Sequence, residues 1–173
     1  GTMSYPVHPD DDARVAYLRS LGLIDTSKDP SFDRVIRICQ DAFGMPIAAL
    51  TLIDKDRQWF KSIAGLNVCE TGRSIAFCNY TILGDEIFEV CDTHLHPQLK
   101  DNPLVTGEPF LRYYAGAPLI FNGRQLGALC VLDFRPHDPM TVAQRRVLAG
   151  LAEIVVREMK VQQAAKELLA LLP

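Results

Sequence analysis

Residues 112–121 and 124–133 form two strand-length apolar runs separated only by Asn122-Gly123. A two-residue turn that matches the natural twist of paired strands needs φ > 0 at both central positions, and Asn followed by Gly adopts this at least cost. The segment is therefore predicted as an antiparallel hairpin with a type I′ turn. Its arms, Arg-Tyr-Tyr-Ala-Gly-Ala-Pro-Leu-Ile-Phe and Arg-Gln-Leu-Gly-Ala-Leu-Cys-Val-Leu-Asp, are apolar at nearly every position rather than at alternate ones. Antiparallel strands read that way when both faces of their sheet are covered. One face is expected to meet helices and the other a different kind of cover.

The remaining segments supply both. Residues 10–21 begin with three aspartates, favourable at a helix N-terminus, and carry Val15, Leu18 and Leu21 before Gly22. Asp29-Pro30 opens a second helix, with Phe32, Val35, Ile36, Cys39, Ala42 and Phe43 on one face and Gly44 after it. Ile47–Ile53 and Arg57–Ile63 flank Asp54-Lys55-Asp56 as another hairpin, and Ile87–Cys91 is expected as a fifth strand. Residues 67–110 hold an expected short helix over Ser74–Leu83 within long irregular connections, the kind that form lids and binding loops on a rigid sheet. Thr141-x-x-Gln144 is a capping box for a helix over about 142–172, ~45 Å long at 1.5 Å per residue. That is longer than the domain it would pack on, so its end is expected to project. Leu148, Leu151, Val155, Ala165, Leu169 and Leu172 give it a weak seam, interrupted at Glu158 and Gln162.

At 173 residues and 48% hydrophobic, the chain can bury one ordinary core. Its net charge of −3, without a basic run, argues against nucleic acid and anionic membrane as partners. No apolar stretch approaches the ~20 residues of a membrane span, and no secretory leader is visible. Cys39, Cys69, Cys78, Cys91 and Cys130 lack metal-ligand or disulfide spacing, which points to a reducing cytoplasm. Gly1-Thr2 reads as an expression remnant within a flexible segment, residues 1–9.

Several motifs together resemble the GAF domain of bacterial signalling proteins, the type found ahead of sensor histidine kinases and diguanylate cyclases. They are Asp54-Lys55-Asp56-Arg57-Gln58-Trp59-Phe60-Lys61-Ser62, Glu70-Thr71-Gly72-Arg73-Ser74-Ile75-Ala76-Phe77-Cys78, Asp101-Asn102-Pro103-Leu104-Val105-Thr106-Gly107 and Tyr114-Ala115-Gly116-Ala117-Pro118-Leu119. The resemblance implies an α+β fold. A central antiparallel sheet of five or six strands would carry the terminal helices on one face and short helices and loops over a ligand pocket on the other. Residues 10–160 would be the domain, and 161–173 a projecting helix or linker. The implied role is sensing of an unidentified small molecule by a homodimer, with the C-terminal helix passing the signal to a kinase or cyclase output, and without enzymatic turnover.

By the same resemblance, Trp59 or Phe60, Tyr113 or Tyr114, and Asp133 would face the pocket from the sheet, and Arg73, Cys78, Tyr80 and Asp92 from the cover. A strand presents only one of two adjacent residues to a given face, and the pattern does not say which. No cofactor is indicated. His94 and His96 lack a third ligand at metal-binding spacing. The Asn-Lys-x-x-x-Phe-x-x-x-Asp/Glu pattern of cyclic-nucleotide GAF domains and the surroundings of a bilin-attaching cysteine are both missing, and no histidine on an apolar face invites haem. Two alternatives stay open: a thiol enzyme resembling the free methionine sulfoxide reductases, using Cys69, Cys78 and Cys91, and a ligand-free dimerisation module.

Overall fold

The computed structural model describes residues 4–173, so the Gly1-Thr2 remnant lies outside the described residues. A six-stranded antiparallel sheet runs in the order β3-β2-β1-β6-β5-β4. Its strands are β1 (Ile47–Ile53), β2 (Arg57–Ala64), β3 (Glu70–Gly72), β4 (Phe88–Val90), β5 (Tyr113–Phe121) and β6 (Arg124–Asp133). Asn122 and Gly123 join β5 to β6 with φ of 48° and 80°, the positive pair that a type I′ turn requires.

Helices α1 (Asp11–Ser20), α2 (Pro30–Phe43) and α5 (Val142–Ala170) share one face. The Asp29 carboxylate caps α2 by accepting from Ser31 N at 2.8 Å, and Gly44 closes it at φ 61°. At α5, Thr141 Oγ1 accepts from Gln144 N at 3.1 Å while Gln144 Oε1 accepts from Thr141 N at 2.9 Å. Leu18, Phe32, Ile36, Leu148 and Val155 bury this face together with Leu50, Leu129 and Val131 of the sheet.

The opposite face is covered by residues 66–111, where the single helix expected over 74–83 is two short pieces. A 3₁₀ turn, Arg73–Ile75, and α3, Cys78–Thr81, are separated by Ala76 at ψ 123°. Asn102 caps a further one-turn helix, α4 (Pro103–Thr106), by accepting from Leu104 N at 2.9 Å.

Two close approaches hold the middle of the sheet in register. A Cβ on Gly127 of β6 would stand 1.9 Å from the Thr51 carbonyl oxygen of β1. One on Gly116 of β5 would stand 2.2 Å from the Tyr114 hydroxyl, so the glycine makes room for that phenol to lie along the sheet. Backbone in a paired strand cannot retreat as a flexible side chain can. Gly127→Ala is expected to cost ~2 kcal/mol or more in urea unfolding, the scale of an overpacked core site; a change within ~0.5 kcal/mol would show that β1 and β6 separate more easily than this packing implies.

Candidate functional site

The site follows from an irregularity in β2. Leu50 of β1 pairs with Ser62, but Thr51 pairs with Phe60, leaving Lys61 as an extra residue. The bulge turns Lys61 and Ser62 both toward the helices, where Lys61 donates to Thr26 and Ser27 and Ser62 donates to the Asp33 carboxylate. Phe60 and Ile63, three residues apart, consequently share the opposite face. With Ile47, Ala49 and Leu132 they form the sheet wall of a cavity of about 280 Å³. Phe77, Leu104 and Leu111 of the cover close it from the other side.

Four polar side chains of the lining, Thr51, Cys78, Tyr114 and Cys130, meet along its inner wall. Thr51 Oγ1 lies 3.3 Å and the Tyr114 hydroxyl 3.2 Å from Cys78 Sγ, and the same phenol lies 2.7 Å from Thr81 Oγ1. Cys130 Sγ lies 3.7 Å from the Ala49 carbonyl oxygen. Burial opposes ionisation of Cys78, but the converging donors Cys130, Thr51 and Tyr114 make it the more acidic of the two thiols. Its partner Cys130 is pushed well up, first by its hydrogen bond to Cys78 and then by burial; Tyr114 is pushed up by burial and by the neighbouring sulfurs.

Phe60, Cys78 and Tyr114 of the expected pocket residues therefore line one cavity. The others stand elsewhere. Trp59 and Tyr113, each next to a cavity residue, point into the helix-side core, and the Tyr113 hydroxyl donates to Glu89 at 2.6 Å. Tyr80 stacks on Phe88 with ring centroids 5.3 Å apart, outside the cavity. Asp92 caps a 3₁₀ turn through His94 N and accepts from Arg112 at 3.0 Å. Asp133 accepts from Phe134 N and from His137 Nε2, both at 2.6 Å. Cys69 is exposed and Cys91 packs on the helix-side core, so neither joins Cys78.

Arg73 differs most from its expected place. Buried to 2% exposure, it turns away from the cavity and binds Asp11 of α1 through both terminal nitrogens, at 2.6 and 2.8 Å. Its Nε donates to Asn79 Oδ1 at 3.1 Å, and Asn79 Nδ2 returns a bond to the Arg73 carbonyl. Asp11 also accepts from Arg14 Nε at 2.9 Å, so one carboxylate serves two buried guanidinium groups. The first helix is thereby clasped to the segment that carries Phe77 and Cys78. Sequence reasoning missed Ile63 as a cavity residue, since only the bulge places it, and missed Gln58, which strand alternation puts on the same face as Phe60; it missed Asp11 because a carboxylate in a first helical turn reads as ordinary dipole compensation.

The sequence profile described as GAF domain matches residues 28–159. The chain belongs to the GAF domain family. A cyclic di-GMP phosphodiesterase of Pseudomonas aeruginosa is 40% identical over 156 residues, which are 89% of this chain and 27% of that protein. The chain thus spans about a quarter of the length of this curated relative. Among solved structures, the GAF domain of a phosphoenolpyruvate-protein phosphotransferase from Coxiella burnetii superposes with a TM-score of 0.67 at 18% identity, covering 89% of this chain and 96% of that one. Free methionine-R-sulfoxide reductase from Neisseria meningitidis, in complex with its substrate, gives 0.65 at 16% identity, covering 94% and 99%.

These relatives correct one expectation. A domain without enzymatic turnover was expected, yet the 40% identical relative is named a phosphodiesterase and the Neisseria neighbour a reductase. The matched segment is a part of that phosphodiesterase rather than its whole. Among the described residues, no helix is long and apolar enough to cross a membrane.

The Asp11 clasp gives a pH prediction. Burial alone would raise the Asp11 carboxyl, but the hydrogen bonds from Arg73 and Arg14 outweigh it and hold it below its ordinary 3.8. A carboxylate depressed on folding adds stability above its unfolded pKa and loses it as pH falls through the folded value. Asp11→Asn should therefore be less stable than the parent at pH 7, and the gap should narrow below pH ~4. Equal stability of the two at neutral pH, followed by urea unfolding, would show that the clasp contributes nothing.

Proposed function

We propose that this GAF domain is the sensory part of a larger cyclic di-GMP phosphodiesterase, reporting occupancy of its cavity to the rest of the enzyme through α5. The observation that carries the reading is the cavity itself, an apolar chamber on the sheet face opposite the helices with a few convergent polar groups at its inner wall, as small-molecule sites are built. The 40% identity to the phosphodiesterase supports the enzymatic setting.

Two connections lead from the cavity side to the helices. The Arg73–Asp11 clasp ties the cover to α1. At the other end of the sheet, Glu89 of β4 accepts from Arg145 of α5 and from Tyr113 of β5, both at 2.6 Å, and from Met140 N at 2.8 Å. A shift in the cover on binding would move groups that hold α1 and α5, which is the differential contact a ligand-driven population shift needs.

Transmission also favours a dimer through α5, and its seam differs from the one read in the sequence. Leu148 and Val155 are buried against the sheet, whereas Val147, Ile154, Val161 and Leu168, spaced by seven, are 45%, 60%, 56% and 66% exposed. A strict seven-residue repeat drifts only ~20° per heptad around a straight helix, so these four make one apolar stripe that a partner helix can follow. From Ala164 onward every residue of α5 is exposed. We infer a parallel homodimer along this stripe.

Native mass spectrometry of the purified chain should show a retained small molecule that is lost from Ile63→Trp, which fills the cavity from its sheet wall. A parent chain that carries nothing, and whose melting temperature no metabolite extract raises, would sink the sensory reading. For the dimer, Val161→Asp should abolish a monomer–dimer equilibrium in sedimentation velocity without lowering the melting temperature. A variant that associates as well as the parent would remove the stripe from the interface.

A further inference from the structure

The cavity's charge distribution narrows what it can hold. Among the described residues, Glu108 is the one member of the Asp, Glu, Lys, Arg and His group in its lining, and the floor adds only weak acids, Cys78, Cys130 and Tyr114. The arginines of the surrounding elements are committed elsewhere. Arg73 is turned to Asp11, Arg57 holds Asp25 and Glu70, and Arg112 holds Asp92. A phosphate or carboxylate entering this space would leave water without a counter-charge and face a carboxylate at the rim, a cost that hydrogen bonds from hydroxyls and thiols do not offset.

The walls and one unpaired atom say what is welcome. Phe60, Phe77 and Tyr114 present ring surface, and a volume of about 280 Å³ lies just below the range of drug-sized sites, so a compact ring fits better than a nucleotide. Gln58, 5% exposed, lines the same space, and its side-chain orientation is fixed by its neighbours. The Thr71 hydroxyl donates to the Gly72 carbonyl at 3.0 Å and accepts from Gln58 Nε2 at 3.2 Å. Gln58 Oε1 is left as a buried acceptor with no hydrogen-bond partner among the described residues. An unmet buried acceptor is costly, and a donor on the ligand would relieve it.

We propose that the cavity takes a neutral, compact, largely apolar ring molecule carrying one N–H or O–H group for Gln58 Oε1, and not the cyclic dinucleotide after which the relative is named. This rests on the sensory reading of the same cavity. The phosphodiesterase would then be governed by a signal chemically unrelated to its substrate, rather than by substrate or product returning to a second site.

Titration calorimetry and thermal melts with four probes test the ligand class. Indole is a neutral ring with one N–H; indene has the same shape without it; indole-3-acetate adds an anion; cyclic di-GMP is the nucleotide. Indole should bind and raise the melting temperature, indene should bind about five- to tenfold more weakly, the scale of one hydrogen bond, and the two anions should not bind. Gln58→Met should weaken indole by that same factor and leave indene unchanged. Ala49→Leu, which fills the cavity from β1, should abolish indole binding while circular dichroism shows the fold intact.

Binding of cyclic di-GMP or indole-3-acetate that Ala49→Leu abolishes would overturn the neutral ligand class and leave the sensory reading standing. Indole binding that Ala49→Leu does not disturb would place the ring elsewhere and overturn the proposal. No binding by any probe, with an Ala49→Leu variant melting above its parent, would mark the cavity as a packing defect and overturn both.

Discussion

Strand β6 lies between β1 and β5 with every residue from Leu126 to Asp133 buried, and the rest of the molecule is arranged around that fact. Leu129 and Val131 enter the helix-side core, while Ala128, Cys130 and Leu132 enter the core beneath the cover. A sheet buried on both faces needs two independent covers, and here they differ in kind. Three helices supply the first by close packing. Short turns, one-turn helices and loops supply the second. The cavity lies under that second cover, walled on one side by the sheet and on the other by chain that follows no regular repeat.

The sequence made the first cover legible and the second only in outline. The type I′ turn at Asn122-Gly123, the caps at Asp29 and Thr141 and the apolar faces of α1 and α2 are local chemistry, set by a few adjacent residues. Those elements appear where the residues put them, with six strands in the sheet. Residues 74–83 read as one helix because their composition permits it, but the extended Ala76 breaks it in two, and Arg73 just before it is drawn to Asp11, 62 positions away in the chain. No local pattern carries that pairing.

The same limit explains the candidate residues. Choosing between Trp59 and Phe60, or Tyr113 and Tyr114, depends on register, and register is set by which strand lies opposite. The bulge at Lys61 is a property of the β1–β2 pair, so the grouping of Phe60 with Ile63 is invisible to a period-two reading of β2 alone. In α5 the apolar residues are so frequent that two seams can be traced. Only burial separates Leu148 and Val155, which hold the helix to the sheet, from Val147, Ile154, Val161 and Leu168, which do not. Glu89 carried no signal at all, although it gathers Tyr113, Met140 and Arg145 into one hydrogen-bonded node.

Fold, cavity and helices form one account if the sheet couples its two faces. Amide hydrogen exchange, read with indole-saturated and ligand-free protein side by side, tests that coupling most directly. Protection should rise in residues 67–111 over the cavity and, across the sheet, in α1 near Asp11 and in α5 near Arg145. Protection confined to 67–111, with α1 and α5 exchanging at unchanged rates, would contradict the account: the cavity would bind its ligand without the helices registering it.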